Sequence, residues 1–101
     1  MLVAFSISGG ESPQGYVHDA VAAAVRVVRE SGLPNRTDPM FTTIEGDWDE
    51  CLAVVKNAVD AAAGYGPRVS LVLKADIFPG HTGELSAKLD RLEAVLNETD
   101  Q

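Results

Sequence analysis

Cysteine is nearly absent from this chain, which carries a single one, Cys51, among 101 residues. One cysteine excludes an internal disulfide and any metal site built from several thiolates. The two histidines add too few ligands, so we expect no metal site. Positive charge is also scarce, because eight Lys and Arg stand against fifteen Asp and Glu, a formal net charge of -7. Nucleic acids and anionic membranes attract basic surfaces, so we expect neither as a partner.

Long hydrophobic runs are missing as well. No apolar segment approaches the roughly 20 residues that a membrane-spanning helix needs. The opening Met1 to Phe5 has no basic region before it and turns polar at Ser6, unlike a signal peptide. We therefore expect a cytoplasmic protein. The length and the 46% hydrophobic content predict one domain over residues 1–101.

Hydrophobic periodicity predicts strands and helices in the order β-α-β-β-α-β-α. Strands are predicted at 2–8, 35–38, 40–45 and 68–78, and helices at about 13–31, from 47 to about 64, and from 82 onwards. The predicted helix starts are Ser12 with Pro13, Asp47 with Glu50 as a capping box, and Thr82.

This order predicts an α+β fold, the ferredoxin-like sandwich β-α-β-β-α-β, with an extra C-terminal helix. Right-handed crossovers then place the first two helices on one face of a four-stranded antiparallel sheet. The second helix is predicted to bury an apolar stripe that includes Trp48 and Cys51. Cys51 is therefore expected to be an inert core thiol rather than a nucleophile. The full predicted stripe is Trp48, Cys51, Leu52, Val55, Ala58, Val59 and Ala62.

Alternation along the strands leaves one sheet face turned away from these two helices, which we call the free face. Its residues are too apolar to be left fully wet and too polar for a dry core, a mixture typical of an interface or binding site. We expect another subunit, the third helix or both to cover it, in a homodimer or homotetramer. The predicted set is Ala4, Ser6, Ser8, Phe41, Thr43, Glu45, Ser70, Val72 and Lys74.

Five side chains of the free face are candidate ligand contacts: Ser6, Phe41, Thr43, Glu45 and Ser70. The predicted strand pairing places Ser6 between Thr43 and Ser70. The hydroxyls could donate to or accept from a heteroaromatic edge, and Phe41 could stack on its ring. The residues alone allow two interpretations of Glu45. It is either a ligand contact or a strand-end carboxylate that is solvated or paired with Lys74. No catalytic motif is present.

The segment Pro39-x-x-Thr42-Thr43-Ile44-Glu45-Gly46, followed by an acidic helix start, resembles the signature of the thiamine-binding protein family. Three further segments match the family in order and spacing: Phe5-Ser6-Ile7, Glu30-Ser31-Gly32-Leu33 and Arg68-Val69-Ser70. The resemblance implies a ferredoxin-like fold, dimers and dimers of dimers, and non-catalytic binding of thiamine or its hydroxymethylpyrimidine part. Phe41 stands where family members often have a small residue, so it either stacks on the ligand or fills the pocket.

The chemistry of thiamine is compatible with these residues. Its thiazolium is a permanent cation, which suits the Glu45 carboxylate and an aromatic face. Thiamine would be a bound ligand, and no cofactor is expected beside it. The alternative function is an oligomeric regulatory or interaction module that senses another small molecule, because fold alone does not choose between the two.

Overall fold

The computed structural model of the chain describes residues 1–9 and 17–99. Within these ranges the elements follow the predicted order, and the predicted cap at Ser12 and Pro13 lies outside them. None of the described helices is both long and apolar enough to cross a membrane. The elements are β1 (Leu2–Gly9), α1 (Val17–Glu30), β2 (Asn35–Thr37), β3 (Thr42–Glu45), α2 (Trp48–Ala63), β4 (Val69–Asp76) and α3 (Glu84–Thr99).

The four described strands form one antiparallel sheet in the order β2-β3-β1-β4. The two central strands are thus β1 and β3, as predicted. Helices α1 and α2 pack on one face of the sheet, and α3 crosses the other face near one end of the strands. The α+β ferredoxin-like fold with an additional C-terminal helix is therefore confirmed.

The core lies between the sheet and the first two helices. Val3 and Phe5 of β1 and Ile44 of β3 point into it, and each is at most 3% exposed. Burying side chains of this size stabilises the fold by roughly 1.5–3 kcal/mol each. The helices add Ala24, Val28, Cys51, Val54, Val55 and Ala58.

Cys51 lies in the centre of this core and is fully buried. Burial raises the pKa of its thiol, because a thiolate loses solvation there. The thiol therefore stays protonated at neutral pH and acts as a small apolar group. The prediction that Cys51 is buried in the core is confirmed.

Helix α2 begins with the predicted capping box. The Asp47 carboxylate accepts from the Glu50 N–H at 2.8 Å, and the Asp47 N–H donates to the Glu50 carboxylate at 3.2 Å. The prediction that Trp48 is buried is wrong, because 53% of it is exposed. Trp48 is the first residue of the helix, and the inward stripe begins one turn later, at Cys51. The predicted burial of Leu52 is also wrong, since 43% of Leu52 is exposed, and Val54, which was not predicted in the stripe, is buried.

Candidate functional site

The strand register aligns four residues of the free face in one row across the sheet, which we call the central row. Arg36 of β2 lies opposite Thr43 of β3, Thr43 opposite Ala4 of β1, and Ala4 opposite Lys74 of β4. Neighbouring strands are about 4.8 Å apart, so the backbones of Arg36 and Lys74 are separated by about 14 Å. The row therefore has a small, hydroxyl-bearing floor with a long basic side chain at each end.

The neighbouring row consists of Glu45, Leu2 and Asp76, and α3 lies across it. The Glu45 carboxylate is buried and accepts from two N–H groups at the start of α3, those of Glu84 at 2.9 Å and Leu85 at 3.2 Å. The first N–H groups of a helix have no partner within the helix. A carboxylate of β3 thus caps a helix that begins 39 residues later.

The prediction that Thr82 caps this helix is wrong, because α3 begins at Glu84, directly after Gly83. One ion pair strengthens the attachment of α3 to the sheet that Glu45 makes. Lys88 of α3 pairs with Asp76 of β4, at the other end of the same row. The resulting contacts fix the first two turns of α3 to both a central and an edge strand.

A second ion pair stiffens α3 itself. Glu84 is 6% exposed, and its two oxygens accept from the Arg91 guanidinium at 2.6 and 3.3 Å. That hydrogen bonding lowers the pKa of the Glu84 carboxyl, and the hydrogen bond from Lys88 does the same for Asp76. Both carboxylates are therefore anionic at neutral pH, and both retain their ion pairs there.

An open groove of about 600 Å³ lies between α3 and the central row. Leucines of α3 form one wall, and Thr43 and Ala4 form the floor. Its volume falls in the range typical of small-molecule sites, roughly 300–1,000 Å³. The lining residues are Leu2, Ala4, Arg36, Asp38, Thr43, Lys74, Asp76, Glu84, Leu85, Lys88, Leu89 and Leu92.

Of the five predicted contact residues, Thr43 lines this groove. Glu45 lies beside it, underneath the start of α3. The predicted flanking of Ser6 by Thr43 and Ser70 is wrong, because Ser6 is opposite Val72 and Ser70 is opposite Ser8. Alternation assigned Ser6, Thr43 and Ser70 to the correct face, but only the hydrogen-bonded register fixes which residues are neighbours. The assignment of Phe41 to this face is wrong, because Phe41 precedes β3 and lines a cavity against α1.

Ser6 and Phe41 line a different, smaller cavity of about 140 Å³ between α1 and the β2–β3 hairpin. Phe41 lies in the hairpin loop and is 37% exposed. The hydroxyls of Thr37 and Thr42 are 3.4 Å apart beside it. The five candidates are therefore distributed over the groove, the start of α3, this cavity and the exposed beginning of β4.

Arg36 was missed as a site residue, since β2 is three residues long and its alternation carries little information. The leucines of α3 recur at helical spacing, which indicates an apolar stripe but not where that stripe lies on the sheet. No group of three or more metal-ligating side chains occurs in the described part of the chain. The one signal for Arg36 in the sequence is its position in the predicted strand that directly precedes the strand with the Thr42-Thr43 signature.

Apolar side chains in the wall of the groove and on the free face remain exposed. Leu89 and Leu92 of α3 are 46% and 53% exposed, and Val72 of the free face is 57% exposed. Apolar groups clustered in this way are typical of surfaces that pack against another molecule. Leu89 and Leu92 line the groove, so a molecule that covered these side chains would also border the groove.

A family model described as thiamine-binding protein matches residues 3–93. A UPF0045 protein of Mycobacterium bovis is 50% identical over 97 residues, covering 95% of this chain and 94% of that protein. A Bacillus cereus domain of unknown function, DUF77, has 30% identity and a TM-score of 0.75 over 83% of each chain. A candidate thiamine biosynthesis/salvage protein of Thermotoga maritima has 24% identity and a TM-score of 0.68, covering 87% of this chain and 97% of that one.

Proposed function

The chain belongs to the thiamine-binding protein family, and on that premise we propose that it binds thiamine or its hydroxymethylpyrimidine part without converting it. The site we propose is the groove between the free face and α3. The observation that carries this choice is the central row, which places the Thr43 hydroxyl of the family signature on the floor of a groove of suitable volume. We propose the cytoplasm as its compartment, with which a single free thiol is compatible.

The composition of the groove supports a ligand that is partly aromatic and partly polar. Leu85, Leu89 and Leu92 offer an apolar wall to a flat ring. The Thr43 hydroxyl can donate to or accept from the fixed edge of an aminopyrimidine. Glu45 would place a negative charge close to a thiazolium, and its direct contact with the ligand stays a prediction, as do contacts from Ser6, Phe41 and Ser70.

Replacing Thr43 with valine tests the site, because valine keeps the shape and removes the hydroxyl. A neutral hydrogen bond contributes about 0.5–1.5 kcal/mol, so we expect thiamine and hydroxymethylpyrimidine to bind roughly 3- to 10-fold more weakly. Titration calorimetry measures the affinity, and chromatography should recover the ligand unchanged. Thr37→Val is the matched control, since its hydroxyl faces Thr42 outside the groove. Equal affinities in the two variants would move the site away from the central row.

We further propose that the protein is a homodimer or homotetramer whose interface borders the groove. The exposed Leu89, Leu92 and Val72 support this proposal, because leaving such side chains in water is unfavourable. Light scattering at micromolar concentration should report an oligomer, and Leu92→Glu should shift it toward the monomer. A wild-type protein that is monomeric under these conditions would overturn the proposal.

The alternative function, a regulatory module that senses another small molecule, would use the same face for assembly. The titration separates the two, since such a module would assemble but would bind neither thiamine nor hydroxymethylpyrimidine. An oligomer that binds neither compound would favour the alternative.

A further inference from the structure

The basic side chains at the two ends of the central row differ in one respect. Arg36 is bonded to Asp38, with its Nε 3.2 Å from the carboxylate, and Lys88 above the groove is paired with Asp76. Among the residues that the structure describes, Lys74 is the cation lining the groove without a salt bridge. Lys74 lies on the edge strand β4, directly opposite Ala4 of the central strand β1.

The groove is electrically balanced although the chain is strongly acidic. Its lining contains three cations, Arg36, Lys74 and Lys88, and three carboxylates, those of Asp38, Asp76 and Glu84. Each of these carboxylates is already bonded to a guanidinium or an ammonium group. Lys74 also lowers the pKa of Asp76, but the hydrogen bond from Lys88 is the larger cause. An anionic group in the groove would therefore meet a cation before it met an unpaired carboxylate.

From this placement we propose that Lys74 binds the phosphate of a phosphorylated ligand, a phosphomonoester of thiamine or of hydroxymethylpyrimidine. The inference rests on the proposed function and specifies the form of the ligand. The ring would lie on Ala4 and Thr43 against the leucines of α3, and the phosphate would extend toward β4. An ammonium group on a flexible stem binds phosphate as a point charge, which suits an ester of variable reach.

The test compares thiamine, thiamine monophosphate, hydroxymethylpyrimidine monophosphate and inorganic phosphate by titration calorimetry. Hydrogen bonds to charged groups are strong enough that we expect each phosphomonoester to bind about 10- to 100-fold more tightly than the unphosphorylated compound. Lys74→Gln should remove most of the difference in affinity between each phosphomonoester and its unphosphorylated compound, and added salt should reduce that difference in the wild type.

Lys56→Gln is the matched control, because Lys56 is an exposed lysine of α2, on the opposite face of the sheet. It should retain the preference for the esters. Thiamine that binds as tightly as its monophosphate, or an ester advantage that survives Lys74→Gln, would overturn the role of Lys74 and leave the proposed function standing. Inorganic phosphate that binds as tightly as the esters would also overturn it. If none of the pyrimidine compounds binds, the proposed function fails as well.

Discussion

Replacing Glu45 with glutamine is expected to loosen α3 from the sheet. The carboxylate is 8% exposed and receives the first two N–H groups of the helix, from Glu84 and Leu85. Glutamine keeps one acceptor oxygen but loses the charge, and its amide NH₂ would face an N–H donor. Hydrogen bonds to charged groups contribute about 1.5–3 kcal/mol, so we expect the free energy of unfolding to fall by roughly this amount. Urea denaturation measures it.

Hydrogen exchange identifies which part of the molecule the Glu45→Gln substitution destabilises. The amides of Glu84 and Leu85 should lose protection in Glu45→Gln, and those in the middle of α2 should keep theirs. Glu50→Gln is the control, because Glu50 is an exposed residue of the capping box at the start of α2, and glutamine also forms that box. The variant loses only the charge at the helix start, so it should cost less, about 0.3–1 kcal/mol. Equal losses in the two variants, or unchanged protection at Glu84 and Leu85, would show that Glu45 does not hold α3.

The same variant separates two roles of Glu45 in binding. If the carboxylate contacts the ligand, the binding free energy should weaken by about 1.5–3 kcal/mol even where hydrogen exchange shows that α3 stays closed in most molecules. If it acts only by holding the wall of the groove, affinity and the protection of α3 should fall together. Calorimetry and exchange on one preparation distinguish these results.

Gly9→Ala is expected to have the largest effect on stability of any glycine substitution at the described positions. Gly9 has a φ of +120°, and a Cβ there would lie 2.3 Å from the backbone oxygen of Arg68. Backbone strain of this kind costs about 1–3 kcal/mol, and relieving the clash requires the ends of β1 and β4 to separate. We expect a total loss of about 2–6 kcal/mol, the strain together with an overpacking cost of about 1–3 kcal/mol, seen as a lower Tm.

Gly32→Ala is the comparison that isolates the clash. Gly32 has a φ of +79°, and nothing lies within 4 Å of the position that its Cβ would take. It should therefore show only the conformational cost, about 1–2 kcal/mol. If the two alanine variants melt at the same temperature, the close approach of the two strands does not determine the stability.

The fold could be predicted because its signals are local. Cys51, Val55 and Ala58 recur at helical spacing, and Val3 and Phe5 alternate as a strand requires. The capping box of Asp47 and Glu50 is likewise contained in four consecutive residues. Periodicity failed at the first residue of α2, because helical spacing alone does not show that Trp48 is exposed there.

The site was harder to predict, since its geometry depends on pairings between distant segments. Alternation correctly assigned Thr43 and Lys74 to the free face. The prediction placed Ser6 between Thr43 and Ser70, whereas the register, offset by two residues, places Ala4 between Thr43 and Lys74. The link from Glu45 to the start of α3 spans 39 residues and has no sequence motif. The interpretation of Glu45 as a strand-end carboxylate that is solvated or paired with Lys74 is wrong, because the carboxylate is buried and accepts from the first N–H groups of α3.

The complete burial of Cys51 allows its reaction with a thiol reagent to report opening of the core. A thiol reagent can reach this sulfur only when α2 separates from the sheet, because the surrounding side chains leave it no exposed surface. The rate of alkylation therefore measures how often the core opens, without any introduced probe. Since the sequence contains no second cysteine, every modified molecule reports the same event.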